Sequence, residues 1–246
     1  MMDYLSSGGF MSEMSETKYG KLYSRNSKRL IIYLHGLTAN PFNNTGMSIL
    51  NFVKWSETAY DFLGFELHTG RGFLTTTVEK QAKRLNQAIS EFKQQGYDNI
   101  YIIASSYGSL VALTANNSKI DKQCCLLPSL VVNSFWQAVE RNEGIYDGYG
   151  YLVSFDHSNL SIMYSHRLLS EGLSFTKHKA QCLLNNLKVN TFFCHGKEDV
   201  YYKELGNLSF DNSKCQSRVL EGYSHEIVDR DDLDNLVRYA FDYIRK

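Results

Sequence analysis

Short apolar runs alternate with amphipathic stretches along most of the chain, which predicts strands that alternate with helices. The strongest apolar runs, residues 30–34 and 99–104, are rich in β-branched side chains and indicate buried strands of a parallel sheet. Weaker patterns predict further strands, which in chain order are one or two within residues 17–26, then 58–67, 127–132, 190–194 and 218–220.

Helices are predicted where apolar side chains recur on one face. Thr76 and Glu79 form a capping-box pair ahead of a helix that ends near Gly96. The C-terminal helix is expected to have Asp231 or Asp232 near its N-cap, and its buried face carries Leu233, Leu236, Val237, Ala240, Phe241 and Ile244.

The order of these elements predicts an α/β fold. Alternating strands and helices form a doubly wound, mostly parallel sheet with right-handed crossovers, and the length suits a single domain over residues 1–246. Residues of about 135–185 interrupt the alternation and are rich in aromatic side chains. We expect a small cap inserted there, in which Trp136, Tyr146 and Tyr149 either bind substrate or pack the cap onto the sheet.

Composition narrows the range of functions. The formal net charge is zero and no block of lysine or arginine occurs, which argues against a nucleic-acid-binding protein. The five cysteines are odd in number, match no zinc spacing and fit a reducing compartment. With no signal peptide or membrane span evident, we expect a cytoplasmic protein. No metal or organic cofactor is predicted.

One strand end carries candidate chemistry. The strand at 99–104 runs into Ala-Ser-Ser-Tyr-Gly (104–108), and a helix is expected over residues 107–117. Small residues two before and two after a serine, at a strand–turn–helix junction, are typical of a nucleophile elbow that presents the hydroxyl above the sheet. Ser106 has this spacing and Ser105 does not. The alternative is a serine that merely caps the helix.

A serine nucleophile needs a general base, and the base needs an acid that orients it. With this kind of elbow the order along the chain is serine, acid, histidine. A later strand end carries Asp199, with Glu198 as the alternative acid, and the last strand is followed by His225 just before the C-terminal helix. His35 and His195 also follow strands, but they lie beside glycines and are interpreted as packing residues.

Acyl transfer places negative charge on the substrate carbonyl oxygen, which fixed backbone N–H groups can stabilise. The N–H of Tyr107, directly after the nucleophile, is one predicted donor of this oxyanion hole. The loop after the first strong strand supplies the other, and the N–H of Leu37 is the expected donor. The alternative for this loop is an ordinary turn that ends a strand.

Together these motifs resemble those of the α/β-hydrolase superfamily over residues of about 28–246. The matching pieces are Leu34-His35-Gly36-Leu37, Gly70-Arg71-Gly72, Ala104-x-Ser106-x-Gly108, His195-Gly196-x-x-Asp199 and Gly222-x-x-His225. The chain is similar to small bacterial carboxylesterases, including feruloyl esterases, to monoacylglycerol-lipase-like enzymes and, in its Ala-Ser-Ser elbow, to acyl-carrier thioesterases. It departs from the esterases at Ala104, where Gly is more usual, and at Thr69 and Tyr107.

The resemblance implies a serine hydrolase that cleaves a carboxylic ester or thioester through an acyl-enzyme on Ser106. The expected partner is a small-molecule acyl ester or thioester, and an acyl carrier is a further candidate. Two alternatives stay open: an acyltransferase with the same residues, and a non-catalytic binding protein on this fold. The motifs do not indicate the acyl group.

Overall fold

The computed structural model describes residues 14–37, 39–68, 75–141, 145–146, 151–155 and 160–246, with only the backbone described at 145–146, 151–155 and 160–163.

The described strands form two sheets. Eight strands make the main sheet, in the order β1-β2-β4-β3-β5-β6-β10-β11, and their bounds are β1 Met14–Thr17, β2 Gly20–Tyr23, β3 Arg29–Leu34, β4 Asp61–Phe65, β5 Asn99–Ser105, β6 Lys122–Leu126, β10 Asn190–Gly196 and β11 Cys215–Leu220. Six neighbouring strands, β4, β3, β5, β6, β10 and β11, pair in parallel. At one edge β1 pairs antiparallel with β2, and β2 pairs antiparallel with β4. A separate antiparallel sheet contains β7 Ile145–Tyr146, β8 Tyr151–Phe155 and β9 Leu160–Tyr164.

Helices pack against both faces of the main sheet. Their bounds are α1 Asn44–Trp55, α2 Val78–Gln94, α3 Tyr107–Ala115, α4 Asn133–Arg141, α5 His166–Leu173, α6 Lys177–Asn185, α7 Val200–Leu205 and α8 Arg230–Arg245. On β3, Leu30, Ile32 and Leu34 face the cluster that contains α2 and α3, while Ile31 and Tyr33 face the cluster that contains α1 and α8. The strand is therefore apolar on both faces because both faces are buried. The predicted fold class, a mostly parallel doubly wound α/β sheet, is confirmed.

The strand predicted at 127–132 is wrong. The strand is β6, whose polar start obscures the apolar pattern because Gln123 is buried and donates a 2.8 Å hydrogen bond to the hydroxyl of Thr191 on β10. At Leu127 the backbone enters the left-handed region, with φ of 46°, and the chain leaves the sheet. The apolar residues that follow are buried in a loop instead.

One predicted helix start is displaced by a residue, and the N-cap of the C-terminal helix lies just before the predicted pair. Helix α2 is capped by Thr77, whose hydroxyl accepts from the N–H of Lys80, and the expected capping-box partner Thr76 lies outside it. Helix α8 is capped by Asp229, whose carboxylate accepts from the N–H groups of Asp231 and Asp232, and these two residues lie in the first turn, near the N-cap as expected. Several neighbouring residues could accept such bonds, and the sequence does not distinguish them.

The chain between β6 and β10 forms α4, the three-stranded sheet, α5 and α6, all outside the main sheet. We call residues 133–185 the inserted segment. Glu171 of α5 ties this segment to the core, because its carboxylate accepts from the N–H groups of Val78 and Glu79 at 2.5 and 2.9 Å. None of the helices in the described ranges combines the length and apolar character needed to cross a bilayer.

Candidate active site

Ser106 occupies a strained turn between β5 and α3. Its backbone has φ of 49° and ψ of −122°, a conformation that costs free energy for a residue with a side chain. Gly108, two residues later, packs against the backbone of β3, where a Cβ atom would lie only 2.8 Å from the carbonyl oxygen of His35. The small residue two positions after Ser106 therefore corresponds to a real steric limit.

The Ser106 hydroxyl does not cap the helix that follows it. Its Oγ lies 2.9 Å from Nε2 of His225 and 3.1 Å from Oγ of Ser129. The neighbouring Ser105 is directed elsewhere, since its Oγ lies 2.9 Å from the hydroxyl of Tyr33. Of the two serines in the elbow, only Ser106 contacts a histidine.

The imidazole of His225 is held on its other side by Asp199. Its Nδ1 lies 2.9 Å from Oδ2 of Asp199, a carboxylate whose side chain is 1% exposed. Asp199 is also the N-cap of α7, and its Oδ1 accepts from the N–H of Tyr201 at 2.8 Å. Because Nδ1 faces a carboxylate, the proton of a neutral imidazole resides on Nδ1, and Nε2 accepts from Ser106.

Glu198, the alternative acid, lies apart from this arrangement. Its carboxylate is exposed and pairs with Lys203 at 3.4 Å. His225 itself lies between β11 and α8, with its side chain 23% exposed, and the ring of Tyr201 packs on it at 4.5 Å between centroids. The structure thus brings Ser106, His225 and Asp199 together, from three separate strand ends.

The loop after β3 lies against Ser106. A Cβ atom on Gly36 would be 3.5 Å from the Cβ of Ser106. The Gly36 carbonyl accepts from Nδ1 of His35 at 2.8 Å and from the N–H of Ala39 at 3.2 Å. Since the C=O and N–H of one peptide point in opposite directions, the N–H of Leu37 points away from both donors.

His35 is more than a packing residue. It is fully buried, and its Nε2 accepts from the N–H of Leu67 at 3.3 Å, so Nδ1 carries the proton that is donated to Gly36. Burial lowers the pKa of His35 to about 4, which keeps the ring neutral and this donor pattern intact near pH 7. The sequence did not reveal this role, because a histidine beside a glycine at a strand end was interpreted as a packing residue.

Tyr107, the other residue of the predicted oxyanion hole, is the first residue of α3. In any α-helix the N–H groups of the first turn have no acceptor within the helix, and they carry partial positive charge. Its side chain is buried, and its hydroxyl donates to Oε1 of Gln81 on α2 at 2.7 Å.

A cavity of about 330 Å³ opens beside Ser106 and His225. Residues 43–45 at the start of α1 contribute polar groups, and the apolar wall includes Leu37, Leu127, Phe135, Ile227, Leu233 and Leu236. Trp136 is not part of this wall: it is 1% exposed and packs on Gly172 and the ring of Tyr164. Tyr149 and the side chain of Tyr146 lie outside the described residues.

No protein-family model and no curated protein sequence matches the chain. Solved structures do. Est1E from Butyrivibrio proteoclasticus with bound ferulic acid matches with a TM-score of 0.68 at 14% identity, over 95% of this chain and 99% of that one. An esterase of Pyrococcus furiosus, Pf2001, gives 0.64 at 16% identity over 97% and 95% of the chains. The monoacylglycerol lipase of Paleococcus ferrophilus gives 0.62 at 15% identity over 92% and 99%.

The chain has the α/β-hydrolase fold. In this fold the residues singled out from the sequence fall at the carboxyl ends of β3, β5, β10 and β11, which meet at one edge of the sheet. Three contacts at this edge were not predicted: Ser129 beside Ser106, Gln81 behind Tyr107, and Phe135 in the cavity wall. The Gly70-Arg71-Gly72 motif lies outside the described residues.

Proposed function

We propose that this protein is a serine hydrolase that cleaves a carboxylic ester or thioester through an acyl-enzyme on Ser106. The observation that carries the proposal is the continuous hydrogen-bonded series from Ser106 through His225 to Asp199, with both contacts at 2.9 Å. A nucleophile, a base and an orienting acid within hydrogen-bond reach are the minimum for this chemistry.

In the first step Ser106 Oγ attacks the substrate carbonyl carbon while Nε2 of His225 takes its proton. Asp199 keeps the imidazole in the tautomer that can accept this proton and stabilises the imidazolium that results. The N–H groups of Leu37 and Tyr107 bind the oxyanion, and one such donor contributes on the order of 3 kcal/mol to the transition state. His225 then protonates the leaving alcohol or thiol.

In the second step water attacks the acyl-enzyme. Nε2 of His225 takes a proton from this water, a second oxyanion forms in the same place, and its collapse releases the acid and returns the proton to Ser106. If an alcohol or amine took the place of water, the same residues would perform acyl transfer.

The cavity supports a small acyl or aryl ester as substrate. Its volume of about 330 Å³ suits a ligand of modest size, and its walls combine apolar side chains with polar groups, among them those of residues 43–45. Ferulic acid and monoacylglycerol appear in the names of two structural neighbours. Ferulic acid forms esters through its carboxyl group, and a monoacylglycerol is itself an ester. We therefore propose aryl and short-chain acyl esters as the first substrates to test.

The test is covalent labelling with a fluorophosphonate, followed by mapping of the adduct by mass spectrometry. We expect one adduct on Ser106, lost in Ser106→Ala and retained in Ser105→Ala, whose hydroxyl is directed to Tyr33. Absence of labelling, or labelling that persists in Ser106→Ala, would contradict the proposal. Hydrolysis of p-nitrophenyl esters and acyl thioesters, with and without an added alcohol, then distinguishes esterase, thioesterase and acyltransferase.

A further inference from the structure

Ser129 lies in the loop after β6, in direct contact with the proposed nucleophile. It is 3% exposed, its Oγ lies 3.1 Å from Oγ of Ser106, and its N–H donates to the carbonyl oxygen of Ser106 at 3.4 Å. Among the described residues it is not part of the cavity lining. It therefore contacts the reacting oxygen without lying in the space that a substrate would fill.

The backbone that presents Ser129 is specifically shaped. After β6 the chain turns at Leu127, a non-glycine residue with φ of 46°, while its N–H donates to the carbonyl of Cys194 on β10 at 2.8 Å. This turn takes the chain out of the sheet and over the elbow. A strained backbone conformation that the surrounding structure maintains beside a reactive residue is typical of a functional position.

The direction of the hydrogen bond between the two serines follows from the protons available. The Nδ1 proton of His225 faces Asp199, so Nε2 must accept, and the single proton of Ser106 Oγ is donated to it. Ser106 Oγ can then only accept from Ser129. The hydroxyl of Ser129 is consequently a fixed donor to the nucleophile oxygen.

We propose that Ser129 is a catalytic residue of the second step, deacylation. When the tetrahedral intermediate formed by water collapses, the bond between the acyl carbon and Ser106 Oγ breaks, and the proton on Nε2 of His225 passes to that oxygen. Negative charge builds on Oγ as it leaves, and the donor from Ser129 stabilises it while Ser129 keeps its own proton. In the first step the hydroxyl oxygen of Ser106 already accepts this hydrogen bond before attack, so the donor stabilises the starting state as well as the transition state and the net gain is smaller.

This inference rests on the proposed hydrolase function, and the test separates the two. In Ser129→Ala we expect deacylation of a p-nitrophenyl ester to slow roughly tenfold, the effect of one hydrogen bond to a charged group, with acylation changed less than threefold. Stopped-flow measurement should then show a burst of p-nitrophenol, and intact-mass spectrometry should show accumulated acyl-enzyme. Ser109→Ala, which removes another buried serine hydroxyl from α3, is the matched control and should show neither.

Ser129→Cys retains a weak donor and should give an intermediate deacylation rate, and it provides the measurement if the alanine variant does not fold. Equal slowing of both steps, or unchanged deacylation, in variants that fold would overturn the role of Ser129 while leaving the hydrolase proposal in place. Failure of the unmodified protein to label with fluorophosphonate would instead remove the hydrolase proposal itself.

Discussion

The backbone of Leu67 connects the side chains of His35 and Gln81. Its N–H donates to Nε2 of His35 at 3.3 Å, and its carbonyl accepts from Nε2 of Gln81 at 2.8 Å. His35 in turn holds the Gly36 carbonyl, and Gln81 accepts from the hydroxyl of Tyr107. One buried series of hydrogen bonds thus reaches both residues whose N–H groups are proposed to bind the oxyanion.

Gln81→Leu removes the middle of this series. We expect kcat for a p-nitrophenyl ester to fall about tenfold with little change in KM, because the two N–H donors lose their relative position while the cavity is unchanged. Loss of the hydrogen bonds that Gln81 makes with the Tyr107 hydroxyl and the Leu67 carbonyl should also lower the free energy of unfolding by about 1–3 kcal/mol.

Gln123→Leu is the matched control, since Gln123 is a buried glutamine whose amide donates to Thr191 within the sheet. It should lower stability in thermal or urea unfolding without lowering kcat in the folded protein. If both variants lose kcat in proportion to their stability, the series has no specific role in positioning the donors.

Asp199 and Glu198 are neighbours in the sequence with different expected roles. Asp199→Asn should lower kcat by roughly 10³–10⁴, because an amide favours the wrong tautomer of His225. Glu198→Gln should leave kcat within about twofold, since its carboxylate faces solvent beside Lys203. Steady-state kinetics on one aryl ester measures both, and comparable losses in the two variants would contradict this assignment.

The sequence predicted what depends on local spacing. The elbow around Ser106, the strand ends that carry Asp199 and His225, and the parallel sheet all follow from short-range patterns of apolar, small and polar residues. Gln81 and Ser129 could not be found in this way. Their contacts with Tyr107 and Ser106 span 26 and 23 residues and depend on how helices and loops pack.

Residue type was a poor guide at two positions where burial differed from what the side chain suggests. Gln123 is a buried polar residue inside β6 whose amide donates to a hydroxyl on the next strand, so the apolar pattern placed the strand five residues too late. Trp136 is an aromatic residue of the kind that often binds ligands. Here its ring instead fills the space left by Gly172, which has no side chain. The neighbouring Phe135 faces the cavity instead.

Gly36 and Gly108 should respond differently to alanine. At Gly108 a methyl group would overlap the backbone of β3, so Gly108→Ala should lower the free energy of unfolding by about 2 kcal/mol or more. At Gly36 the nearest atoms would be Cβ and Oγ of Ser106, at 3.5 and 3.8 Å, which is ordinary contact.

We therefore expect Gly36→Ala to fold with nearly unchanged stability but to lose kcat, because the added methyl narrows the space beside the nucleophile. Urea unfolding and ester kinetics on both variants check the pair. An unstable Gly36→Ala, or a fully stable Gly108→Ala, would contradict the packing described for the elbow.

His195 makes the folded state sensitive to acid. The ring is 1% exposed and packed among Phe193, Tyr202 and Phe210, and burial lowers its pKa from 6.5 to about 4. Because the unfolded chain takes up the proton first, stability is fully present above pH 6.5 and is lost as the pH falls towards 4. The loss due to His195 alone amounts to about 2 kcal/mol by pH 5.

His195→Phe should remove this part of the pH dependence, so its stability relative to the unmodified protein should increase by about 2 kcal/mol between pH 7.5 and pH 5. His35 has the same direction of shift and remains in both proteins, so a residual loss at low pH is expected in each. The matched control is His178→Gln, which replaces an exposed histidine of α6 and is measured beside His195→Phe at both pH values. Urea unfolding at the two pH values measures the difference, and parallel pH profiles for His195→Phe and the unmodified protein would contradict the prediction, because they would show that folding does not change the pKa of His195.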